Sequence, residues 1–242
     1  MGSLLWDNNL RNNDGLRHDW REKRLDLRHK ILVKVPIRYG RFSTSGIYTM
    51  VFSTDCEKYN KLGTGFVVPF NANPIDSIAR LICEGLTMAK AEGMNNRFVG
   101  KDKQGYIWAS STILFNKKKR INPEIYNSVL ANWTKELEAE GGGHDASQYR
   151  VGRERSSVTK KGELQIHWPS SVDPEDAAKL NGFDFLIATS TKPKHKKPEK
   201  VKYPSLAELT QSILNDSARH YFFNNYRHAI STFQDNKVIN LL

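Results

Sequence analysis

Three short runs of β-branched and aromatic residues follow one another early in the chain, and they constrain its fold more than any other feature. The runs cover residues 31–37, 47–53 and 63–70. Each has the length of a strand, and polar or charged segments separate them, which is typical of an antiparallel meander. Pro36 has no backbone N–H to donate, so we expect the first run to lie at a sheet edge or bulge.

A helix pattern follows the third run. Apolar residues recur at helical spacing between residues 75 and 89. Asn73 before Pro74 predicts an N-cap with proline in the first turn, and Gly93 is a suitable stop. The sequence therefore predicts a helix that begins at about Pro74 and ends near Gly93.

Further strands and helices are predicted in the rest of the chain. Residues 106–115 and 182–189 have strand composition. Residues 123–140 carry apolar side chains on one helical face, the clearest amphipathic pattern in the sequence. Ser205 followed by Glu208 predicts a capping box at the start of another helix.

The segments between these elements predict connections. Residues 38–46 and 55–61 are interpreted as a polar loop and a charged turn, and the glycine-rich, basic residues 141–162 as a long flexible loop or a connection between lobes. The expected fold class is α/β, more narrowly α+β, with a mixed, mostly antiparallel, barrel-like sheet and flanking helices. We expect one domain over residues 1–120 and a basic C-terminal extension over 121–242, packed on the first as one unit or forming a second lobe.

The chain is strongly basic. Its 242 residues include 37 Lys and Arg against 26 Asp and Glu, a formal net charge of +11. Basic clusters occur at residues 117–120, 150–161 and 192–202. This excess attracts anionic partners, which include nucleic acid, acidic lipid and acidic metabolites.

Other classes of protein are disfavoured. No stretch approaches the roughly 18 apolar residues of a membrane-spanning helix, and residues 6–9 are polar where a secretory signal would be apolar, so a cytoplasmic location is expected. Cys56 and Cys83 are expected to be free thiols. Neither has a partner at metal-ligand spacing, and no phosphate-binding glycine loop occurs, so no metal or other cofactor is expected.

The order of short motifs along residues 2–115 resembles the γ-glutamylcyclotransferase-like family. A basic strand and loop are followed by residues 46–51 (GIYTMV), then by 62–69 (LGTGFVVP), then by a helix that closes at 90–93 (KAEG). The resemblance implies a barrel-like fold and release of 5-oxoproline from a γ-glutamyl amine or peptide.

Gly2, Ser3 and Leu4 match the family's glycine–serine loop, whose backbone N–H groups receive the substrate's carboxylate. The strand and tyrosine that precede this loop in the family are absent, and Met1 stands in the place of the tyrosine. The start is therefore either truncated or an altered binding loop, and a disordered start is the competing interpretation.

The resemblance implies that Glu92 is the acid/base. It would take a proton from the α-amine, whose nitrogen attacks the γ-carbonyl without a metal or nucleotide. The competing interpretation is a solvated residue at a helix end, and Glu84 is the alternative carboxylate. Arg38 and Arg41 are candidates to hold the substrate's α-carboxylate, against an interpretation as ordinary surface arginines.

A nucleic-acid-binding function without catalysis is the alternative. It depends on Lys194, Lys196, Lys197 and Arg227, and on the aromatic residues interleaved within 221–228. Exposed aromatic rings stack on bases while Lys and Arg neutralise phosphates. The competing interpretation is that these rings pack a C-terminal helix into the core. The sequence leaves the oligomeric state open.

Overall fold

The protein has an α+β architecture in which helices flank small antiparallel sheets. The strands that the structure describes do not close into a barrel, so the barrel-like closure expected from the sequence is absent from them. At residues 2 and 3 only the backbone is described. The structure is a computed structural model that describes residues 2–8, 15–72, 74–139, 144–197 and 199–242.

The helices lie in all parts of the chain. A 3-10 turn, Gly2–Leu5, precedes the first of them. The described α-helices are α1 (Leu16–Arg24), α2 (Thr54–Lys58), α3 (Ile78–Ala91), α4 (Pro123–Glu138), α5 (Ala177–Gly182), α6 (Leu206–Ile213), α7 (Asp216–Arg227) and α8 (Asp235–Ile239).

The named strands pair with one another in antiparallel fashion, and isolated parallel bridges join Arg41 to Lys194 and Ile113 to Glu163. Within the described residues the sheets have the orders β4-β1-β7, β2-β3 and β5-β6-β8. The strands are β1 (Ile31–Val35), β2 (Ile37–Phe42), β3 (Tyr48–Phe52), β4 (Gly63–Val67), β5 (Val99–Lys101), β6 (Ile107–Phe115), β7 (Ser170–Ser171) and β8 (Phe185–Thr191).

Pro36 divides the first predicted strand in two. β1 pairs with β4 and β7, whereas β2 pairs with β3 in a different sheet. The prediction of a loop over residues 38–46 is therefore wrong for its first half. A bulge at Gly40 and the burial of Tyr39 explain the difference, since a Cβ at Gly40 would lie 2.9 Å from the ring of Tyr203.

Two predicted boundaries in the following segment are also corrected. Residues 55–58 of the predicted charged turn belong to the short helix α2, which begins at Thr54. Helix α3 begins at Ile78 with Ser77 as its N-cap, because the Ser77 hydroxyl accepts a hydrogen bond from the Arg80 N–H. The predicted cap Asn73 lies outside the described residues. The predicted stop is confirmed, since Gly93 has a φ of +85°.

Helices α3 and α4 cover one face of the β5-β6-β8 sheet. Trp133 of α4 is fully buried and its ring centroid lies 4.4 Å from that of Phe98. Gly85 of α3 permits this approach, because a Cβ there would lie 2.7 Å from Phe98 Cζ. The amphipathic pattern that predicted α4 is confirmed by the burial of this face.

The described residues after 144 are not the flexible loop that the sequence predicted. Residues 162–164 lie against β6, where the Ile113 N–H donates to Gly162 O and the Leu164 N–H donates to Ile113 O. The few apolar side chains of the segment, Tyr149, Val158 and Leu164 among them, are buried. A small number of well-placed apolar residues therefore anchors a chain segment whose composition is polar. Residues 141–143 lie outside the described part.

The largest buried cluster joins both halves of the chain. Tyr39 and Met50 of the first half pack in it with Leu164, Phe222 and Val238 of the second. Strands β6 and β8 also pair across residue 120. The regions 1–120 and 121–242 thus share a hydrophobic core. The capping box at α6 is confirmed, with Ser205 and Glu208 bonding each other's backbone.

Asp235 is a buried acid within this core. Its carboxylate accepts hydrogen bonds from the Thr232 N–H at 3.1 Å and from the Thr232 hydroxyl at 2.5 Å, and it lies 3.4 Å from the Tyr39 hydroxyl. Burial nevertheless raises the pKa of Asp235 to about 6. The unfolded chain has an Asp carboxyl pKa of about 3.9. Between about pH 4 and pH 6 the folded protein therefore holds a proton on Asp235 that the unfolded chain has released.

Replacement Asp235→Asn tests this linkage. A folded-state pKa above the unfolded one makes the wild-type free energy of unfolding fall as the pH rises from about 4 to about 6, by roughly 3 kcal/mol. We expect the Asp235→Asn variant to lack this fall, which urea unfolding at pH 4 to 7 would measure. The exposed Asp216→Asn is the control. Parallel pH profiles for wild type and Asp235→Asn would contradict the assignment.

Candidate functional site

Glu92, the predicted acid/base, is the C-cap residue of α3 and is shielded from solvent. Its side chain is 11% exposed, and its Oε2 lies 3.8 Å from Arg17 Nη2. Arg17 also donates to the Asp7 carboxylate at 2.5 Å and to Ala91 O at 3.2 Å. The Glu92 carboxylate therefore takes part in a partly buried charge network between α1 and α3.

The N-terminal turn that contains Gly2, Ser3 and Leu4 lies against the same helix α1. Arg21 Nη1 donates to Leu4 O at 2.7 Å and to Asp7 O at 2.9 Å. The Leu4 side chain is buried, whereas the side chain of Ser3 lies outside the described part. Helix α1 thus brings the two sequence-predicted parts of the cyclotransferase site near one another.

Glu84, the alternative carboxylate, is buried and forms an ion pair with Arg24. Its Oε1 accepts a hydrogen bond from Arg24 Nη1 at 3.1 Å, and the Thr87 hydroxyl lies 3.4 Å from its Oε2. A buried carboxylate needs such partners to remain ionised. The contact joins α1 to α3, so it gives Glu84 a structural role.

Arg38 and Arg41, the predicted carboxylate holders, have different surroundings. The Arg38 guanidinium lies 3.8 Å from the centroid of the Tyr203 ring, and its Nε has no hydrogen-bond partner among the described residues. Arg41 Nη1 donates to Lys192 O at 3.1 Å. Burial lowers the pKa of Arg41. Neither arginine has the surroundings of an ordinary surface side chain.

Lys194, Lys196 and Lys197 lie exposed on the segment after β8. The Lys194 N–H donates to Gly40 O, which holds this segment beside β2, and Lys196 Nζ lies 5.7 Å from the centroid of the Phe42 ring. These three side chains form a basic surface that is available to anions.

The aromatic residues near Arg227 mostly face inward. Arg227 is exposed at the end of α7. Phe222 is buried, and its ring lies 6.0 Å from that of Tyr39. Tyr226 is 44% exposed. The packing interpretation therefore holds for Phe222, and Tyr226 offers an accessible ring.

The described residues border a cavity of about 820 Å³, which we call the central cavity. It lies between the β4-β1-β7 sheet, the β2-β3 hairpin and strand β8. Apolar side chains from these units and from β6 form most of its wall, among them Val33, Ile37, Met50, Phe66, Leu114 and Leu186. Glu92 and Glu84 are not among the lining residues.

Two polar atoms in the cavity wall lack partners. Thr189 is 2% exposed and its Oγ1 has no hydrogen-bond partner among the described residues. Trp20 is half-buried, and its Nε1 also has no hydrogen-bond partner among the described residues. Buried donors and acceptors are normally paired, and each unpaired one costs roughly 1–3 kcal/mol. A bound group that reached either atom would therefore gain a hydrogen bond.

Strand β8 presents an open edge beside this cavity. It pairs with β6 on one side and with no other described strand. The Asn116 N–H donates to Asp184 O, and the Lys192 N–H donates to Trp108 O. This register directs the backbone of even-numbered residues to β6, so the N–H and C=O groups of Phe185 and Ile187 point to the other side.

The mouth of the cavity is formed by polar side chains. Asp26, His29, Lys179 and Asp184 belong to the lining, and the last three have mostly exposed side chains. The mouth therefore lies between the short turn that follows α1 and the helix α5. Its charges are mixed, whereas the deeper wall is apolar.

A second polar group lies inside the protein around Ser110 of β6. The Ser110 hydroxyl is 3.0 Å from His144 Nδ1 and 2.5 Å from the Tyr149 hydroxyl. His144 Nε2 lies 2.9 Å from Thr159 O, which fixes the ring with the proton on Nε2 and leaves Nδ1 as an acceptor. Burial lowers the pKa of His144 and raises that of Tyr149.

This Ser110–His144 contact has the geometry of a nucleophile and its base, with a backbone carbonyl orienting the histidine. Ser110 has no exposed surface, however, so a substrate has no access to its hydroxyl. The group is therefore a buried hydrogen-bond chain. Sequence reasoning missed it, because no spacing rule connects Ser110, His144 and Tyr149.

Comparison with known proteins adds no assignment, since no family model, no curated protein and no solved structure matches the chain. None of the described helices is both long and apolar enough to cross a membrane. In the described ranges, no three His, Cys, Asp or Glu side chains come together as metal ligands would. Any functional assignment therefore depends on the geometry of the chain itself.

Replacement Thr189→Val tests whether the cavity hydroxyl is unpartnered. Valine keeps nearly the same shape and removes only the unsatisfied group. We expect the free energy of unfolding of the unliganded protein to stay constant or to rise by about 1 kcal/mol. Urea unfolding would measure it.

The matched control is Thr112→Val on the paired strand. The Thr112 hydroxyl donates to Ala188 O at 2.9 Å and lies 3.0 Å from Ser190 Oγ. Its removal should lower the free energy of unfolding by about 1 kcal/mol. Equal losses for Thr189→Val and Thr112→Val would mean that Thr189 Oγ1 is satisfied in the unliganded protein.

Proposed function

We propose that the protein binds an uncharged small molecule in its central cavity, one with an apolar body and at least one acceptor oxygen. The observation that carries this proposal is the pair of unpartnered polar atoms, Thr189 Oγ1 and Trp20 Nε1, in the wall of an apolar cavity of about 820 Å³. Small-molecule sites are commonly apolar pockets of roughly 300–1,000 Å³ with a few placed polar groups.

The energetics of the wall support occupancy. Apolar side chains around an empty space lose the dispersion contacts that a close-packed interior provides. Water fills such a space poorly, because most of the wall offers it no hydrogen bonds. An apolar ligand restores those contacts, so its binding also stabilises the fold.

The polar atoms define the ligand more narrowly. An indole N–H donates only, so Trp20 needs an acceptor, whereas the Thr189 hydroxyl can donate or accept. The charged side chains lie at the mouth, with Lys179 68% exposed and Asp184 58% exposed. Ketones, esters, ethers and alcohols with long apolar portions fit this pattern, while ionised molecules would lose their hydration without a partner.

A filled-cavity variant tests the proposal. Ala188 lines the cavity, and Ala188→Leu adds apolar bulk into it. The measurement is the fluorescence titration of the full chain with the neutral apolar dye N-phenyl-1-naphthylamine. We expect the wild type to bind the dye and Ala188→Leu to bind it about tenfold more weakly.

The matched control adds the same side chain outside the cavity. Ala207→Leu lies on the exposed face of α6 and should leave dye binding unchanged. Displacement of the dye then compares a long-chain methyl ketone with the alkane of equal length. Trp20→Phe should remove the advantage of the ketone, whereas Trp168→Phe should not, because Trp168 also has a buried, unpartnered indole N–H but lies outside the cavity wall. Equal dye binding by Ala188→Leu and wild type would refute the proposal.

Cyclisation of a γ-glutamyl compound by Glu92 is the second candidate function. The support for it is the shielding of this carboxylate, 11% exposed, close to the turn that contains Leu4. A general base contributes typically about 10²–10⁴-fold to a rate, and a shielded site favours proton transfer.

The test is 5-oxoproline release from γ-glutamyl amines and peptides. We expect Glu92→Gln to lower the rate by about 10² or more if Glu92 is the base. Cys83→Ala, on the exposed face of the same helix, is the control. A folded wild-type protein that releases no 5-oxoproline from any of these compounds would remove this candidate and leave the cavity proposal untouched.

A further inference from the structure

Arg41, which is half-buried, and Lys192, which is buried, form a pair of neighbouring cations. Arg41 belongs to β2, and Lys192 directly follows β8. Arg41 Nη1 donates to the Lys192 carbonyl oxygen at 3.1 Å, so the two residues are fixed side by side. Lys192 is only 9% exposed. Neither residue lines the central cavity.

No carboxylate of the described residues contacts this pair directly, although Asp145 and Asp102 act on it from a greater distance. Within the described residues, no carboxylate lies within 4.0 Å of either cation. Lys192 Nζ contacts the neutral Gln148 Oε1, and it lies 5.9 Å from the centroid of the Tyr149 ring. The Arg41 guanidinium lies 5.8 Å from the centroid of the Trp108 ring.

Two partly buried arginines between α1 and α3 do contact a carboxylate, whereas the buried Arg21 donates to backbone and amide oxygens. Arg24 contacts Glu84 at 3.1 Å, and Arg17 contacts Asp7 at 2.5 Å. A charge taken out of water costs several kcal/mol unless an opposite charge and hydrogen bonds replace its hydration. Two neighbouring cations without a carboxylate therefore lack a group that would stabilise both.

The titration of the pair agrees with this geometry. Burial lowers the pKa of Lys192, and the nearby charge of Arg41 lowers it further, while the exposed Asp145 opposes the shift. Burial likewise lowers the pKa of Arg41. Each group thus keeps its charge at a cost that an anion would remove.

We propose that Arg41 and Lys192 bind an oxyanion group, a carboxylate or a phosphate, that is carried by a small molecule. The planar guanidinium offers paired N–H donors to two oxygens, and the lysine ammonium adds a point charge. The buried chain Tyr149–Ser110–His144 holds the neighbouring wall in place. This site is independent of the proposed function, since it has different residues and the opposite preference for charge.

The experiment uses the full chain and isothermal titration with inorganic phosphate, sulfate and acetate, at an ionic strength held constant with sodium chloride. We expect saturable binding of at least one of these anions. Preference for phosphate and sulfate would identify a phosphate group, and preference for acetate a carboxylate. Arg41→Gln and Lys192→Met should each weaken binding about tenfold or more, the loss expected for one charge-assisted hydrogen bond.

The matched control is Lys194→Gln, which removes the same charge from an exposed position two residues away. It should bind as the wild type does. Thermal unfolding of unliganded Lys192→Met checks the fold, and we expect it to unfold at the wild-type temperature or above, because an unpaired buried charge is lost. Unaltered binding by folded Lys192→Met, or no binding of any of the three anions, would overturn the proposal.

Discussion

Strand β8 pairs with β6 on one side and with no described strand on the other, and the interior of the protein is arranged around that open edge. If the sheets closed on one another, the apolar faces of β1, β3 and β8 would pack together directly. Because they stay apart, their side chains border a space of about 820 Å³. Unpaired backbone groups, the Thr189 hydroxyl and the Trp20 indole lie beside it, so this space differs from a packing defect with purely apolar walls.

Charge is distributed in two ways inside the protein. Between α1 and α3, Arg17 and Arg24 meet carboxylates, and these contacts fix the helices relative to each other. Between β2 and the segment after β8, Arg41 and Lys192 meet neutral groups. A protein with 37 basic and 26 acidic residues has more cations than it can pair, but most of the surplus can stay in water. Buried Arg21 is held by three hydrogen bonds to neutral oxygens, whereas Arg41 and Lys192 each have one such contact.

Local signals in the sequence predicted the local structure well. The stop at Gly93, the capping box at Ser205 and the amphipathic face of α4 each depend on neighbouring residues and are confirmed. Long-range contacts decided the features that were missed. Residues 38–42 form a strand because Tyr39 finds a buried place in a distant cluster, and the polar segment after residue 144 is held by its pairing with β6. Sequence reasoning likewise had no means to place Thr189 and Trp20 on one cavity, because nothing in their spacing connects them.

Strands from the first half of the chain pair with strands from the second half, so the protein cannot readily be divided into separately folding fragments. β6 relies on β8 and β1 relies on β7, so each half supplies a neighbour for a sheet of the other. A fragment that ends near residue 120 would carry unpaired strand edges and half a hydrophobic core, which favours association between chains over independent folding. Genetic work on this protein should therefore assign its activities with single substitutions, since deletions would remove fold and function together.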